Sequence, residues 1–158
     1  MGDIFSGSEI AELGVQVEVN GRDFYETLAK RTKNKKAKAV FKMLALEEEK
    51  HIAKFRKMLD YFHKYEPKEA YPTEYFSYLN SLASECVFTQ KAKGAEIAKN
   101  TRDDKDAIEI GIGFERDSIR LFEGMRKVVP TEGTAIVDIL IKQEEKHINK
   151  LEALKKGV

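Results

Sequence analysis

Residues 47–52 read EEEKHI and residues 143–148 read QEEKHI, so the second stretch repeats the first after 96 positions. In each stretch a glutamate stands three positions before a histidine; the pairs are Glu48 with His51 and Glu144 with His147. Side chains three apart lie on one face of an α-helix, close enough to bind one metal ion together. The chain has only three histidines, and two of them belong to this motif. The repeat therefore predicts two helices that each present an acid and an imidazole on one face.

The sequence around the two motifs has the apolar periodicity of long helices. It predicts four of them, over residues 7–32, 35–63, 101–129 and 131–156. Each would be about 40 Å long at roughly 1.5 Å per residue. Short turns join the first two and the last two, and residues 64–100 form a long crossover between the pairs. Two helical hairpins joined in this way are a known topology, so we expect one all-α domain over residues 1–158, a four-helix bundle.

Short polar residues predict where two of these helices begin. Ser6, with Glu9 three positions later, has the pattern of a capping box. Thr101, followed by Asp103 and Asp104, predicts the start of the third long helix, because acidic groups are favourable at a helix N-terminus.

The two hairpins repeat each other beyond the histidine motif. Three residues of the first helix have counterparts in the third, 97 positions later: Gly14 and Gly111, Glu18 and Glu115, and Tyr25 and Phe122. Because the unit occurs only twice, it indicates an internal pseudo-twofold rather than a solenoid. The two glycines stand one turn before a glutamate, where they leave either space beside a metal site or room for close helix packing. For Gly21, three residues after Glu18, we favour close packing.

Four glutamates lie in the middle of otherwise apolar helical stripes: Glu18, Glu48, Glu115 and Glu144. Each stands 14 or 15 residues from its turn, so antiparallel helices would bring all four to one level, about 22 Å from the turns. A buried unpaired carboxylate is unfavourable by several kcal/mol or takes up a proton. Two divalent cations would neutralise the four acids; mixed oxygen and nitrogen ligands suit iron or manganese, and zinc would also bind. The alternative is a solvated charged face.

The composition excludes several other classes of protein. The net charge is +1, so no overall field favours nucleic acid or an acidic membrane. A single cysteine, Cys86, can form neither a disulfide nor a cysteine metal cage within one chain. No apolar run approaches the length of a membrane span. We therefore expect a soluble, cytoplasmic protein that binds neither nucleic acid nor membrane.

The motif set resembles that of the ferritin-like di-iron carboxylate proteins of the rubrerythrin and bacterioferritin type. The match is one glutamate from each of the first and third helices and one Glu-x-x-His from each of the second and fourth. The resemblance implies a ferritin-like bundle that binds two iron ions. It implies that Glu48 and Glu144 bridge the metals, that Glu18 and Glu115 are terminal ligands, and that His51 and His147 each complete one iron. Tyr25 resembles the tyrosine that hydrogen-bonds a ligand carboxylate in rubrerythrins, and is the candidate catalytic residue.

Three departures from these families bear on function. A chain with one cysteine is not expected to hold the rubredoxin iron domain of rubrerythrins, so electrons would come from a separate donor protein. Rubrerythrins carry an extra glutamate one turn before the third-helix ligand, where this chain has Ile112; the resemblance therefore does not extend to their redox-linked ligand exchange. Bacterioferritins have a haem-binding methionine where this chain has Glu49, which disfavours a haem-bearing storage cage.

The leading functional hypothesis is a di-iron oxidoreductase that reduces peroxide or activates dioxygen with external electrons. One alternative is an iron-binding protein that acts as a ferroxidase or stores iron. Another is a structural bundle whose site is vestigial or holds zinc. We expect a homodimer, because the long crossover could exchange between protomers.

Overall fold

The computed structural model describes residues 7–65, 81, 83–84, 86–127, 129 and 131–158. Within these ranges the elements are α1 (Gly7–Arg31), α2 (Lys35–Tyr65), a 3₁₀ turn (Val87–Thr89), α3 (Lys93–Lys99), α4 (Asp104–Arg126) and α5 (Thr131–Lys155). The described residues contain no β-strand. The prediction of an all-α bundle with a long crossover between its second and third long helices is confirmed. The proposed capping residue Ser6 and residues 66–80 of the crossover lie outside the described residues.

The four long helices pack as two hairpins that face each other. Helix α1 lies along α2, and α4 lies along α5; α2 also contacts α5, and α1 contacts α4. The first hairpin turn is fixed by Asn34, whose side-chain oxygen accepts a hydrogen bond from the Ala37 backbone N–H at 2.9 Å and so caps α2. Among the described helices, none combines the length and the apolar character that a membrane crossing requires.

The third long helix begins three residues later than the sequence predicted. Asp103 caps α4, because its carboxylate accepts a hydrogen bond from the Asp106 backbone N–H at 2.8 Å. Thr101 instead closes the end of α3, since its hydroxyl donates to the Ala98 carbonyl at 2.8 Å. The prediction that Thr101 starts this helix was therefore wrong, because two candidate caps stood two positions apart and the second one is used.

Four other helix boundaries differ by one to three residues. Helix α4 ends at Arg126 rather than at 129, and α2 continues to Tyr65 rather than ending at 63. Helices α1 and α5 each end one residue before the predicted position. Shifts of this size are typical of helix ends, which fray and tighten locally.

Asn20 attaches the crossover to α1. Its side-chain nitrogen donates to the carbonyls of Phe88 and Gln90, both at 2.6 Å. Its oxygen accepts from the backbone N–H groups of Lys93 and Gly94, at 3.1 and 3.0 Å. Asn20 is fully buried, and these four bonds use both donors and both acceptor positions of the amide. The crossover is therefore fixed against the face of α1 at the level of Glu18.

The apolar core surrounds the middle of the bundle, where the acidic residues lie. Its largest fully buried side chains include Phe24, Phe41, Phe55, Phe122 and Tyr25. The rings of Phe55 and Phe122 meet at 5.3 Å on one side of that level. Tyr25 and Phe41 stack at 6.4 Å on the other side. Aromatic packing above and below thus excludes water from the level that the glutamates occupy.

Candidate metal centre

Six ionisable side chains meet in the middle of the bundle. Helix α1 contributes Glu18, α2 contributes Glu48 and His51, α4 contributes Glu115, and α5 contributes Glu144 and His147. The exposed fraction of each is 0 or 1%. The structure therefore brings together all six residues that the sequence predicted as ligands, and it rules out a solvated charged face.

The six side chains form two overlapping groups that could each hold a metal ion. The ligand atoms within each group all lie within 4.8 Å of one another. One group comprises Glu18, Glu48, His51 and Glu144, and the other comprises Glu48, Glu115, Glu144 and His147. Glu48 and Glu144 belong to both groups. Two adjacent cation positions that share two carboxylates follow from this arrangement.

The shared glutamates each direct one oxygen to each histidine. The Nδ1 atom of His51 lies 3.3 Å from Oε2 of Glu48 and 3.0 Å from Oε1 of Glu144. The Nδ1 atom of His147 lies 3.3 Å from Oε1 of Glu48 and 3.1 Å from Oε2 of Glu144. Each carboxylate thus divides its two oxygens between two positions, which is the orientation of a bridging ligand.

The other two glutamates each approach one histidine. Glu18 Oε2 lies 3.3 Å from Nδ1 of His51, and Glu115 Oε1 lies 3.3 Å from Nδ1 of His147. The two imidazole rings are nearly parallel, with an interplanar angle of 10° and centroids 5.3 Å apart. Each of the two groups therefore comprises one unshared glutamate and one histidine in addition to the two shared glutamates; the unshared pair are the candidate terminal glutamates.

Many polar atoms of this cluster have no hydrogen-bond partner among the described residues, and bound cations would satisfy them. Both oxygens of Glu48 and of Glu144, one oxygen each of Glu18 and Glu115, and Nδ1 of His147 are buried with no hydrogen-bond partner among the described residues. His147 Nδ1 is such an atom although three carboxylates lie within 3.3 Å of it. Buried polar atoms of this kind are rare without an ion, a water or a functional role. Four carboxylates and two imidazoles make a suitable ligand set for two divalent cations.

The pKa shifts of the four glutamates indicate which of them are protonated when no cation is bound. Burial raises the pKa of Glu18 and of Glu115 well above the ordinary value, and the charges of Glu48 and Glu144 add to this effect. The pKa of Glu48 and that of Glu144 are lowered, because contacts with the histidines and the terminal glutamates outweigh burial.

The pKa values of the two histidines are raised, whereas burial alone would lower the pKa of an imidazole. Burial disfavours the imidazolium form, but the surrounding carboxylates outweigh it and raise the pKa of both His51 and His147. Two ionised glutamates and two protonated histidines would leave the cluster neutral. Divalent cations would displace these protons, because imidazole binds a metal only when its ligating nitrogen is deprotonated.

Tyr25 supports one of the terminal glutamates. Its hydroxyl donates to Oε1 of Glu115 at 2.5 Å, and both side chains are buried. Burial, together with the nearby charge of Glu115, raises the pKa of Tyr25 well above its ordinary value. The phenol therefore stays protonated and remains a donor to the carboxylate.

Glu47 contacts the site although the sequence analysis did not select it. Its Oε2 lies 2.6 Å from Nε2 of His147, and its Oε1 accepts from Lys150 at 3.3 Å. A carboxylate on the outer nitrogen of a histidine fixes the ring and makes its other nitrogen a stronger ligand. The signal was present in the repeat, because Glu47 is the position at which EEEKHI and QEEKHI differ.

A cavity of about 510 Å³ opens beside His51, between α2 and α5. Its lining includes one acid and five basic residues: Glu47, Lys50, Lys54, Lys57, Lys146 and Lys150. Lysines concentrated in one concave surface attract anions and acidic surfaces. The cavity therefore joins the histidine side of the cluster to a positively charged surface.

Two of the glycines near the site, Gly14 and Gly21, serve helix packing rather than space beside a metal. A Cβ atom on Gly14 would lie 2.6 Å from Cδ1 of Phe55, and one on Gly21 would lie 2.8 Å from Cζ of Phe114. A Cβ on Gly111 would meet its nearest neighbours at 3.4 to 3.5 Å, which is ordinary contact. Of the two interpretations left open by the sequence, close packing is the one that applies to Gly14 and Gly21.

The fold and the site together define a helical bundle with a buried cluster of glutamates and histidines at mid-height. A protein-family model described as Rubrerythrin matches residues 9–155. The chain therefore belongs to the rubrerythrin family, whose ferritin-like domain implies a di-iron carboxylate site. Comparison with curated proteins gave no match, and neither did comparison with solved structures.

Proposed function

We propose that this protein is a di-iron oxidoreductase that reduces peroxide or activates dioxygen with electrons from a separate donor. The supporting observation is the orientation of Glu48 and Glu144, each of which divides its two buried oxygens between two histidines. A zinc site of the structural type needs one ion in a closed tetrahedron. Two adjacent positions built from one glutamate on each of two helices and a Glu-x-x-His motif on each of the other two are instead typical of di-iron and di-manganese carboxylate proteins.

Each of the six side chains has a role in this proposal. Glu48 and Glu144 would be shared by the two irons, Glu18 and His51 would hold one of them, and Glu115 and His147 would hold the other. When bound, the irons supply one electron each by passing from the ferrous to the ferric state, enough to convert one peroxide and two protons into two waters. The helices hold the ligands from all four sides, and the aromatic core excludes bulk water.

Tyr25 acts as a positioning residue for Glu115. Its 2.5 Å hydrogen bond holds one oxygen of that carboxylate, which leaves the other oxygen for a cation. Because its pKa is raised by burial, the hydroxyl donates throughout the physiological pH range.

The lysines around the cavity beside His51 support the proposal that the electron donor has an acidic surface and binds there. Lys50, Lys57 and Lys146 have no ion-pair partner among the described residues, so their charges are free for a partner. Association of this kind becomes slower as ionic strength rises, since salt screens exposed charges.

Stopped-flow mixing tests the reaction. The chain is loaded anaerobically with two ferrous ions and mixed with peroxide or with dioxygen, in the presence of a chemical reductant. We expect rapid oxidation of both irons and many turnovers. Glu144→Gln removes a bridging oxygen and should abolish turnover, whereas Glu145→Gln, at an exposed position on the same helix, should not. Oxidation without turnover, or equal rates in the two variants, would contradict the proposal.

A ferroxidase or an iron-storage protein is the second candidate, and Ile112 favours it. This residue is buried, with 2% of its surface exposed, and the resemblance to rubrerythrins implies that their additional glutamate would stand at this position. The site therefore lacks the carboxylate on which their ligand exchange depends. Iron uptake separates the candidates: storage predicts many irons per chain after aerobic loading, while the oxidoreductase retains two.

The third candidate is a structural bundle whose site is vestigial or holds zinc. Metal analysis of protein purified from its native host distinguishes it from the other two. Stoichiometric zinc with no response to reductant would identify it. The homodimer and the cytoplasmic location stay predictions from the sequence; light scattering tests the first, since a dimer excludes a storage cage.

A further inference from the structure

Among the described residues, two hydrogen bonds reach the cluster from outside its six members, and both go to the same half. Glu47 binds the outer nitrogen of His147 at 2.6 Å, and Tyr25 binds Glu115 at 2.5 Å. His147 and Glu115 are the two unshared members of one candidate ion position. Within the described part of the chain, Glu18 and His51 make hydrogen bonds and ion pairs only with other members of the cluster.

The repeat shows that this asymmetry comes from two substitutions. The counterpart of Glu47 is Gln143, and the counterpart of Tyr25 is Phe122. Gln143 accepts a hydrogen bond from Lys54 at 3.3 Å, just as Glu47 accepts one from Lys150 at 3.3 Å. Lys54 and Lys150 are themselves counterparts, 96 positions apart. The amide has no negative charge, and among the described residues it makes no bond to His51.

We infer that the two metal positions are unequal, and that the position formed by Glu115 and His147 binds a divalent cation more tightly than the position formed by Glu18 and His51. A carboxylate on the outer nitrogen of a ligating histidine makes the imidazole a better donor, and its loss typically lowers metal affinity by roughly 10–100-fold. Glu47 supplies this effect at His147, and Gln143 does not supply it at His51. The inference rests on the ligand set proposed above.

The location of the cavity agrees with this order. His51 lines the cavity of about 510 Å³, so the weaker position also lies nearer to solvent. The stronger position is closed by the Glu47–His147 contact and by the buried hydroxyl of Tyr25. Exchange of metal with the medium would therefore occur mainly at the His51 position.

Cobalt(II) titration of the apo chain in competition with a chelator tests the inference without any redox reaction. The wild-type chain should bind two cobalt ions with affinities that differ by about tenfold or more. Two backgrounds isolate the positions: His51→Ala leaves the His147 position, and His147→Ala leaves the His51 position. Adding Glu47→Gln should lower affinity about 10–100-fold in the first background and leave it unchanged in the second.

The controls separate a specific effect from loss of structure. Glu49→Gln makes the same change of charge at an exposed position two residues away, and should alter neither affinity. Glu47→Asp keeps the carboxylate and should recover part of the affinity. With one equivalent of cobalt in the otherwise native chain, the imidazole N–H of His147 should give a shifted proton resonance that exchanges slowly with solvent and is lost in Glu47→Gln.

The outcomes distinguish the inference from the proposal beneath it. Equal affinities in the wild-type chain, or an equal effect of Glu47→Gln in both backgrounds, would overturn the inequality and leave the di-metal site in place. Failure of the folded wild-type chain to bind cobalt would overturn both. A reversed order, with the His51 position tighter, would contradict the role assigned to Glu47.

Discussion

The two hairpins of this bundle supply the same ligands but different surroundings. Helices α1 and α2 give two glutamates and a histidine, and α4 and α5 give the same set. The residues next to those ligands are not repeated: the first hairpin has Glu47 and Tyr25, and the second has Gln143 and Phe122. Both polar residues of the first hairpin contact ligands of the second. A nearly symmetric ligand set is thus held in an asymmetric environment, and the variants below test where the symmetry holds and where it breaks.

The largest effect should come from substituting a glutamate that both cation positions share, compared with substituting one that belongs to a single position. Glu48→Gln removes the negative charge that both cation positions share and replaces one carboxylate oxygen by an NH2 group that cannot bind a cation. It should lower affinity at both positions by more than about 100-fold, since a ligand contributes more than the groups behind it. Glu18→Gln should weaken only the position that includes His51. Cobalt titration monitored by absorbance measures both. If the two variants bind identically, then Glu48 does not bridge.

The next effect concerns the crossover, which the first hairpin holds through Asn20. Asn20→Ala removes four hydrogen bonds to Phe88, Gln90, Lys93 and Gly94. Leaving such buried groups unpaired should lower the free energy of unfolding by about 2–5 kcal/mol, at roughly 1–3 kcal/mol per orphaned group with some recovered by water.

Urea unfolding measures that loss of stability, and hydrogen exchange locates it. Protection should fall first in residues 87–99, while the helices around the ligands keep theirs. Asn100→Ala is the matched control, because that side chain is exposed and should tolerate removal. An equal loss of stability in the two variants would show that the bonds of Asn20 contribute little.

The sequence was sufficient to predict which six side chains cluster in the core, because candidate ligands have to combine burial, charge and helical spacing. Acids and imidazoles stand out on otherwise apolar helical stripes at Glu48, His51, Glu144 and His147. Because the Glu-x-x-His motif occurs twice in the same context, a chance occurrence is improbable. Glu18 and Glu115 followed from their distance to the turns. These constraints are local or periodic, so they can be recognised without coordinates.

The repeat marks Glu47 as a position where the two halves differ, but the partners of the supporting residues could not be predicted from it, because these contacts join residues far apart in sequence. Glu47 reaches His147 across 100 positions, and Asn20 reaches the crossover across about 70. Nothing in the local pattern around Asn20 distinguishes it from a surface residue of a helix. The start of α4 was misplaced for a different reason, since Thr101 and Asp103 are both good capping residues and only packing decides between them.

A smaller effect distinguishes the paired glycines. Gly14→Ala would bring a methyl group to within 2.7 Å of Cζ of Phe55 in the core, and such overpacking should destabilise the fold by about 1–3 kcal/mol. Gly111→Ala meets its neighbours at 3.4 to 3.5 Å, so the gain in helix propensity of up to about 1 kcal/mol should prevail. Gly113→Ala, with no atom within 4 Å, is the control for propensity alone. Urea midpoints that rank Gly14→Ala above Gly111→Ala would contradict the packing interpretation.

The smallest effect should come from the hydroxyl of Tyr25, which has no counterpart in Phe122. Tyr25→Phe keeps the ring and its packing on Phe24 and Phe41, and removes only the hydrogen bond to Glu115. The carboxyl group then loses a buried partner, so the apo chain should unfold about 1–2 kcal/mol more easily.

The same substitution should act on one cation position only, because Glu115 is unshared. With His51→Ala as background, Tyr25→Phe should weaken cobalt binding, and with His147→Ala it should not. Adding two equivalents of cobalt should also widen the stability difference between Tyr25→Phe and the wild type, since a variant that binds the metal more weakly gains less stability from it. A stability difference that persists unchanged after loading, together with unchanged affinity in both backgrounds, would assign Tyr25 to packing alone and leave Glu47 as the single source of asymmetry between the two halves.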